Sequence, residues 1–160
     1  MKIIEVDEND NEIGLRDRKD RSGDFIYRVS ALWVINSKGD ILLAQRALDK
    51  EHDPGKWGPA VAGTVEEGET YFSNIVKEAE EEIGLKNINP TAGPKIKREG
   101  RWKYFGQWYF LTVDKSIEEF KVSEREVAGL KWFGKAELEK ALSERLDDFL
   151  PSVKVMFEKG

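Results

Sequence analysis

Between Thr70 and Gly84 the spacing of the apolar residues changes. Phe72, Ile75, Val76, Ala79 and Ile83 fall at i, i+3, i+4, i+7 and i+11, which is one stripe of a helix. Thr70 is placed to cap its N-terminus, and Gly84 stands where a left-handed C-terminal cap belongs. The segments before this stripe read differently. "YRVSALWVIN", "SKGD" and "ILLAQRA" form a hairpin pattern, β-branched and aliphatic runs around a Ser-Lys-Gly-Asp turn. Both runs are apolar on both faces, which places them inside a sheet. One helix set among such strands restricts the chain to a layered α and β architecture.

The remaining segments fit the same plan. "KIIEV" and "EIGLRDR" flank the turn-rich "DENDN" and give an N-terminal hairpin extension over residues 1–24. "LDKEHDPGKWG" is a loop with a tight turn at Pro54-Gly55, and "PAVAGTV" a short strand ending at "EEGE". "PKIKREG" and "RWKYFGQWYFLTV" form a further hairpin, with Trp102, Tyr104, Trp108 and Phe110 alternating onto one face. "VAGLKWFG" is another strand, and "KAELEKALSERL" and "PSVKVMFEKG" are two C-terminal helices. The expectation is a single domain over residues 1–160, with a mixed sheet packed between helices.

Composition removes several kinds of chemistry. The chain has no cysteine and one histidine, His52, so thiolate sites, cysteine nucleophiles and multi-histidine zinc sites are excluded. A Ser-His-Asp arrangement would have to be built on His52, which reads instead as a loop residue. With 26 basic and 31 acidic residues the formal charge is −5, which argues against a nucleic-acid or anionic-membrane binder and suits a protein that binds cations. The N-terminus meets acids too early for a signal peptide, and no apolar run approaches the ~20 residues that span a bilayer. A soluble, cytoplasmic protein is expected.

The helix itself is crowded with acids, since "KEAEEEIGL" puts Glu78, Glu80, Glu81 and Glu82 within five positions. At ~100° per residue, Glu78, Glu81 and Glu82 share an arc beside the apolar stripe and Glu80 lies beyond it. A carboxylate pair ~5.5 Å apart repels by roughly 0.8 kcal/mol in water but about 3 kcal/mol at an effective dielectric near 20. On an open face such charge is tolerated, with Lys77 offsetting Glu81 at i, i+4. At the lip of a cleft it calls for a hard divalent cation, which takes oxygen ligands and bridges carboxylates to phosphate.

The stretch Gly63 to Leu85, "GTVEEGETYFSNIVKEAEEEIGL", resembles the Nudix box. Gly63, Glu69, Glu78, Glu81, Glu82, Gly84 and Leu85 fall on its fixed positions. Lys77 departs from it, standing where the family has an arginine that holds the loop glutamate, here Glu69. Lysine keeps the charge and loses the planar fork.

The resemblance implies an α/β (α+β) fold, a Nudix-type alpha/beta/alpha sandwich with a mixed β-sheet. It also implies hydrolysis of a diphosphate linkage in a nucleotide or other small-molecule diphosphate, with Mg2+ or Mn2+. Carried across, Glu78 and Glu82 are the leading metal ligands, Glu81 a third or water-bridged one, and the carbonyl of Ala62 a backbone ligand. The general base is one of these glutamates or an acid outside the box. Glu126 is the outside candidate, with Glu124 and Glu119 behind it, and a solvated loop acid is the equal alternative for each. Arg46 matches an arginine that contacts substrate phosphate in relatives, or simply ends its strand; Lys56 is a weaker candidate of the same kind.

"KIKREGRWKYFGQWYF" can be read in two ways. Lys95, Lys97, Arg98, Arg101 and Lys103 with Trp102, Tyr104 and Phe105 would make a basic, aromatic wall for a nucleotide. The alternation of its aromatics favours a core strand with a basic turn. Trp57, beside the box, carries the same two readings. Outside the box, the N-terminal hairpin, "LLAQRA" and "PGKW" are similar to the branch containing isopentenyl-diphosphate isomerase and related hydrolases. The isomerase needs a protonating cysteine that this chain lacks, which leaves the hydrolase. A non-catalytic Nudix-fold module binding a nucleotide or a protein is the alternative, motivated by Lys77. The aromatic strand and the extra hairpin leave room for a homodimer.

Overall fold

The computed structural model describes residues 1–21 and 23–159. Strands β1 (Lys2–Val6) and β2 (Glu12–Asp17) form the N-terminal hairpin. The main sheet contains β3 (Tyr27–Ile35), β4 (Ile41–Arg46), β5 (Trp57–Pro59), β6 (Val61–Thr64), β7 (Thr91–Arg98), β8 (Tyr104–Thr112) and β9 (Val127–Phe133). Helix α1 (Tyr71–Ile83) covers one face, and α2 (Lys135–Glu144) and α3 (Pro151–Lys159) accompany the other. This is the expected alpha/beta/alpha arrangement with a mixed sheet. Among the described residues no helix is long and apolar enough to cross a membrane.

Strand β3 organises the sheet. It runs parallel to β8 along its whole length and antiparallel to β6 over Val29–Leu32. Its pairing with β4 is confined to Val34–Leu42 and Ile35–Ile41 beside the turn, so the expected hairpin is real but short. Beyond that point β4 leaves β3 and pairs with β5, while its other edge pairs with β9 along its whole length. This divergence lets β6 and the following loop run beside β3 and brings the start of α1 over the sheet.

Two apolar layers result. On the α1 face, Leu32, Val34, Leu42 and Val61 pack on Ile75, Ala79 and Ile83; on the other, Trp33, Leu43 and Trp108 pack on Leu138, Val153 and Met156. Each fully buried aliphatic side chain contributes about 1.5–3 kcal/mol relative to exposure. The caps of α1 are as expected. The Thr70 side chain accepts from the Ser73 amide, and Gly84 adopts a left-handed φ of 73°.

Two patterns differ from the sequence reading. Phe72 is 43% exposed, its ring edge-on to Tyr109, while Asn74 is fully buried within the helix face. The β8 aromatics are also not confined to one face, and not all of the expected face is buried. Phe110 is largely exposed, whereas Phe105 and Tyr109 on the alternate positions are buried along with Trp108. β8 lies between β3 and β7 and is covered by core on both faces, so its alternating side chains carry buried aromatics on each: Trp108 in one layer, Tyr109 in the other.

Candidate active site

The site is built where β6 turns into α1. Gly63 lies in β6 against the helix, and a β-carbon there would fall 2.5 Å from Glu78 Cγ and 3.0 Å from Asn74 Oδ1. Only glycine permits that approach. Asn74 then locks the turn from below. Its Nδ2 donates to the Thr64 carbonyl and to Glu69 Oε1, each at 3.0 Å, and its Oδ1 accepts from the buried Ser30 hydroxyl. Glu69 Oε1 also accepts from the Glu66 amide at 2.8 Å. The loop is therefore pinned to both the sheet and the helix.

Lys77 completes this frame. Its ammonium lies 2.6 Å from Glu66 Oε2 and 2.6 Å from Glu69 Oε2, and 3.6 Å from Glu78 Oε1. The expected partner Glu81, four residues on, is not among its ion pairs; two half-buried loop carboxylates close by compete better than an exposed one. Burial opposes the charge on Lys77, but its bonds to Glu66 and Glu69 hold its pKa above the ordinary lysine range.

Glu78, Glu81 and Glu82 line a cavity of about 640 Å³ together with Ala62, Gly63, Glu66 and Lys77. Burial pushes the Glu82 carboxyl well above the ordinary range, and the adjacent Glu78 and Glu126 push it further; a backbone hydrogen bond from Ala62 acts in the other direction. Burial also raises Glu78, which is hydrogen-bonded to Glu82. Glu126 reaches the same cavity from the loop before β9. That loop is fastened to the end of α1 by Ser123 N–H donating to the Glu82 carbonyl at 2.8 Å. Lys50 Nζ pairs with Glu126 Oε2 at 2.6 Å.

Arginines line the same cavity as the acids. Arg46, at the end of β4, lines the cavity while its Nε donates to the His52 carbonyl at 3.1 Å. Arg18 and Arg21 join it from the segment after β2, and neither was singled out in the sequence. Their only local signal is the basic run "RDRKDR"; what places Arg21 is its donation to Thr64 Oγ1 at 3.3 Å, 43 residues away. Asn74 was missed as well, although a polar residue on an apolar stripe is a visible signal.

Several candidates lie elsewhere. Trp57 is not brought to the cavity: as part of the edge strand β5 its ring packs edge-on to Phe133, 5.3 Å between centroids, against the second core layer. Lys95, Lys97 and Lys103 are taken up by ion pairs with Asp10, with Glu8 and Glu99, and with Asp24. Glu119 caps its own short turn by accepting from the Ser116 amide. Glu124 is exposed and does not line the cavity. Lys56, Arg101 and His52 line an adjoining space.

The donor set suits a hard dication. Among the described residues no three acidic or histidine side chains already enclose one point, so an ion would be held by the Glu78–Glu82 pair, the rim carboxylate Glu81 and water. Burial and mutual proximity raise both carboxyl groups above the ordinary range, and a cation bound between them would offset that repulsion.

The comparisons with known proteins agree with this geometry. The family model described as the NUDIX domain matches residues 24–153. An uncharacterised Nudix hydrolase of Listeria monocytogenes is 28% identical over 127 residues, covering 79% of this chain and 73% of its own length. An isopentenyl-diphosphate Delta-isomerase of Photorhabdus laumondii is 33% identical over 107 residues, 65% of this chain and 61% of its own. Among solved structures, a Deinococcus radiodurans protein superposes with a TM-score of 0.82 at 20% identity, covering 99% of this chain and 98% of its own. A MutT protein of Methanosarcina mazei gives 0.69 at 21% identity, over 84% and 91%. With its box glutamates gathered on one cavity wall and the domain model spanning most of its length, the chain belongs to the Nudix family.

Proposed function

We propose that the chain hydrolyses a diphosphate linkage in a nucleoside di- or triphosphate, or in a nucleoside diphosphate joined to another group, with Mg2+ or Mn2+. The observation that supports this most directly is that the half-buried Glu78–Glu82 pair and Arg18, Arg21 and Arg46 line one cavity. Acids alone would suit a cation and arginines alone an anion. Both together suit a phosphate chain bridged to the protein by a cation.

When bound, the dication neutralises phosphate oxygens and lowers the pKa of the attacking water. Glu78, Glu82 and Glu81 would hold it, with Ala62 contributing from the backbone. Arg46, Arg18 and Arg21 take the other phosphate oxygens, since guanidinium forks match phosphate geometry. Glu126 or one of the box glutamates accepts the proton of the attacking water. Lys77 positions Glu66 and Glu69, and through them the loop under the reacting groups.

The test is a panel of nucleoside di- and triphosphates and nucleotide conjugates, read by phosphate or pyrophosphate release at near-neutral and alkaline pH. Turnover with Mg2+ or Mn2+ that EDTA abolishes is expected. No release from any member of the panel would overturn the proposal.

A further inference from the structure

A second cavity, of about 460 Å³, opens beside the first, and Arg21, Tyr27, Arg46 and Tyr104 line both. Arg98 from the end of β7, Arg101 from the β7–β8 turn and Lys56 line the second and not the first, and Arg98 also borders a mainly apolar cavity beside Ile96 and Trp108. Five cationic side chains thus face it, against two carboxylates, Asp53 and Glu99. Both of those have partners already: Lys56 lies 3.8 Å from Asp53, and Lys97 pairs with Glu99 at 2.8 Å.

None of the four arginines forms an ion pair among the described residues, although the other basic residues of the β7–β8 turn do. Arg21 is the clearest case. Its guanidinium donates to Thr64 Oγ1 and lies 5.8 Å from the Trp102 ring, and among the described residues it makes no other side-chain hydrogen bond. Burial lowers its pKa, and Arg18 and Arg46 lower it further by repulsion. Arg46 likewise commits only Nε, to a carbonyl. Like charges gathered at the joint between two cavities, none of them in an ion pair among the described residues, suit an anion site.

We infer that this second cavity is a subsite for a phosphoryl group beyond the scissile diphosphate, so that the preferred substrates carry at least three phosphates. The assignment rests on the proposed hydrolase reading only for which phosphates are scissile. Arg21 and Arg46 contact the phosphate at the joint, and Arg98 and Arg101 contact the one beyond it. Trp102 is flanked by the guanidinium groups of Arg21 and Arg101, at 5.8 and 5.5 Å, so it serves as a wall behind the cations rather than as a free stacking surface for a base.

The test is calorimetric titration of the full chain with inorganic tripolyphosphate and with pyrophosphate, in EDTA and at physiological ionic strength, where no metal-dependent turnover interferes. The wild type should bind tripolyphosphate at least tenfold more tightly. Arg98→Gln and Arg21→Gln should each reduce that ratio severalfold, with folding checked by circular dichroism, and Arg21→Lys should restore part of it. Lys131→Gln, which removes an equal charge from β9 at a site paired with Glu137, should leave the ratio intact. Equal affinity for the two anions, or a ratio that Lys131→Gln lowers as much as Arg98→Gln does, would overturn the assignment. Repeating the titration with a nucleoside 5′-triphosphate and with a 5′-diphosphate bearing a 3′-phosphate identifies the source of the third phosphate. Either one binding more tightly than the plain 5′-diphosphate supports the subsite, and neither doing so overturns it. Metal-dependent turnover is scored separately, so loss of the hydrolase reading would leave the binding result standing, and the reverse.

Discussion

The ammonium of Lys77 lies 2.6 Å from the carboxylate of Glu69, and the same distance separates it from Glu66. Lysine thus ties the loop before α1 to the helix without a forked side chain. Replacing Lys77 by methionine leaves two half-buried carboxylates facing each other without a counter-ion. The cost should be about 2 kcal/mol, between the limits for surface and buried pairs. A thermal midpoint lower by about 4–8 °C is expected in metal-free buffer. Lys77→Arg should keep the wild-type midpoint and turnover, because the guanidinium reaches the same two acids; a large gain in activity would show that lysine weakens the native enzyme.

On the proposed hydrolase reading, Glu82 is the centre of cation binding: burial and the neighbouring Glu78 both push its carboxyl above the ordinary range. At an Mg2+ or Mn2+ concentration about 100-fold above the dissociation constant, binding should stabilise the wild type by about 2.7 kcal/mol. That corresponds to about 5–10 °C in a melting experiment. Glu82→Gln removes the charge and keeps the shape, so the metal-induced shift should vanish and turnover should fall at least about a thousandfold, the scale of a lost electrostatic anchor. A variant that still gains stability from the ion would remove Glu82 from the ligand set.

Glu126 lines the same cavity, near enough to Glu82 to raise its pKa, and is held by Lys50. If it accepts the proton of the attacking water, Glu126→Gln should lower kcat about 10²- to 10⁴-fold. Metal-induced stabilisation should be kept, because Glu78 and Glu82 remain. Unchanged kcat would assign the proton to a box glutamate.

Asn74 shows a different dependence, since its amide serves the sheet and the loop at once. Asn74→Ala strands the Ser30 hydroxyl and the Thr64 carbonyl in a buried space. The expected loss is about 2–4 kcal/mol, with turnover reduced because Glu69 also loses a donor. In a double-mutant cycle with Ser30→Ala, the pair should show a coupling of about 1 kcal/mol or more by denaturant unfolding. Additive effects would mean that Ser30 and Asn74 act independently.

The parts legible in the sequence are those whose cause is local. Thr70, Gly84 and the apolar stripe specify α1 within fifteen residues, and the box glutamates share its face by periodicity alone. Strands β7 and β8 pair across a short turn as their pattern implied. What escaped depends on distant partners. Arg21 reaches the site because Thr64 accepts from it, Trp57 leaves the site because Phe133 packs on it, and Phe72 is displaced from the buried face that Asn74 occupies. The basic turn divided in two for the same reason. Lys95, Lys97 and Lys103 meet acids in or beside the N-terminal hairpin, and Arg98 and Arg101 do not.

Asp10, at the tip of that hairpin, ties the extension to the domain. Its carboxylate accepts from Arg28 Nε at 2.8 Å, from the Tyr71 hydroxyl at 2.9 Å and from Lys95 Nζ at 2.6 Å, and the Asp10 carbonyl accepts from Arg28 at 2.7 Å. Burial by itself would raise the pKa of Asp10, but the bonds from Lys95, Arg28 and Tyr71 outweigh it and hold the group below its ordinary 3.8. A depressed carboxylate contributes stability that is fully present above the unfolded value of 3.8 and is lost as pH falls through the lower folded value. The wild type should therefore lose stability progressively below about pH 4, in excess of what its other acids cause. Asp10→Asn should be less stable at pH 7, should show a shallower fall below pH 4, and should admit earlier amide exchange in β1 and β2. Identical acid profiles for the two proteins, by thermal melting across pH 2.5–7, would remove Asp10 from the acid response.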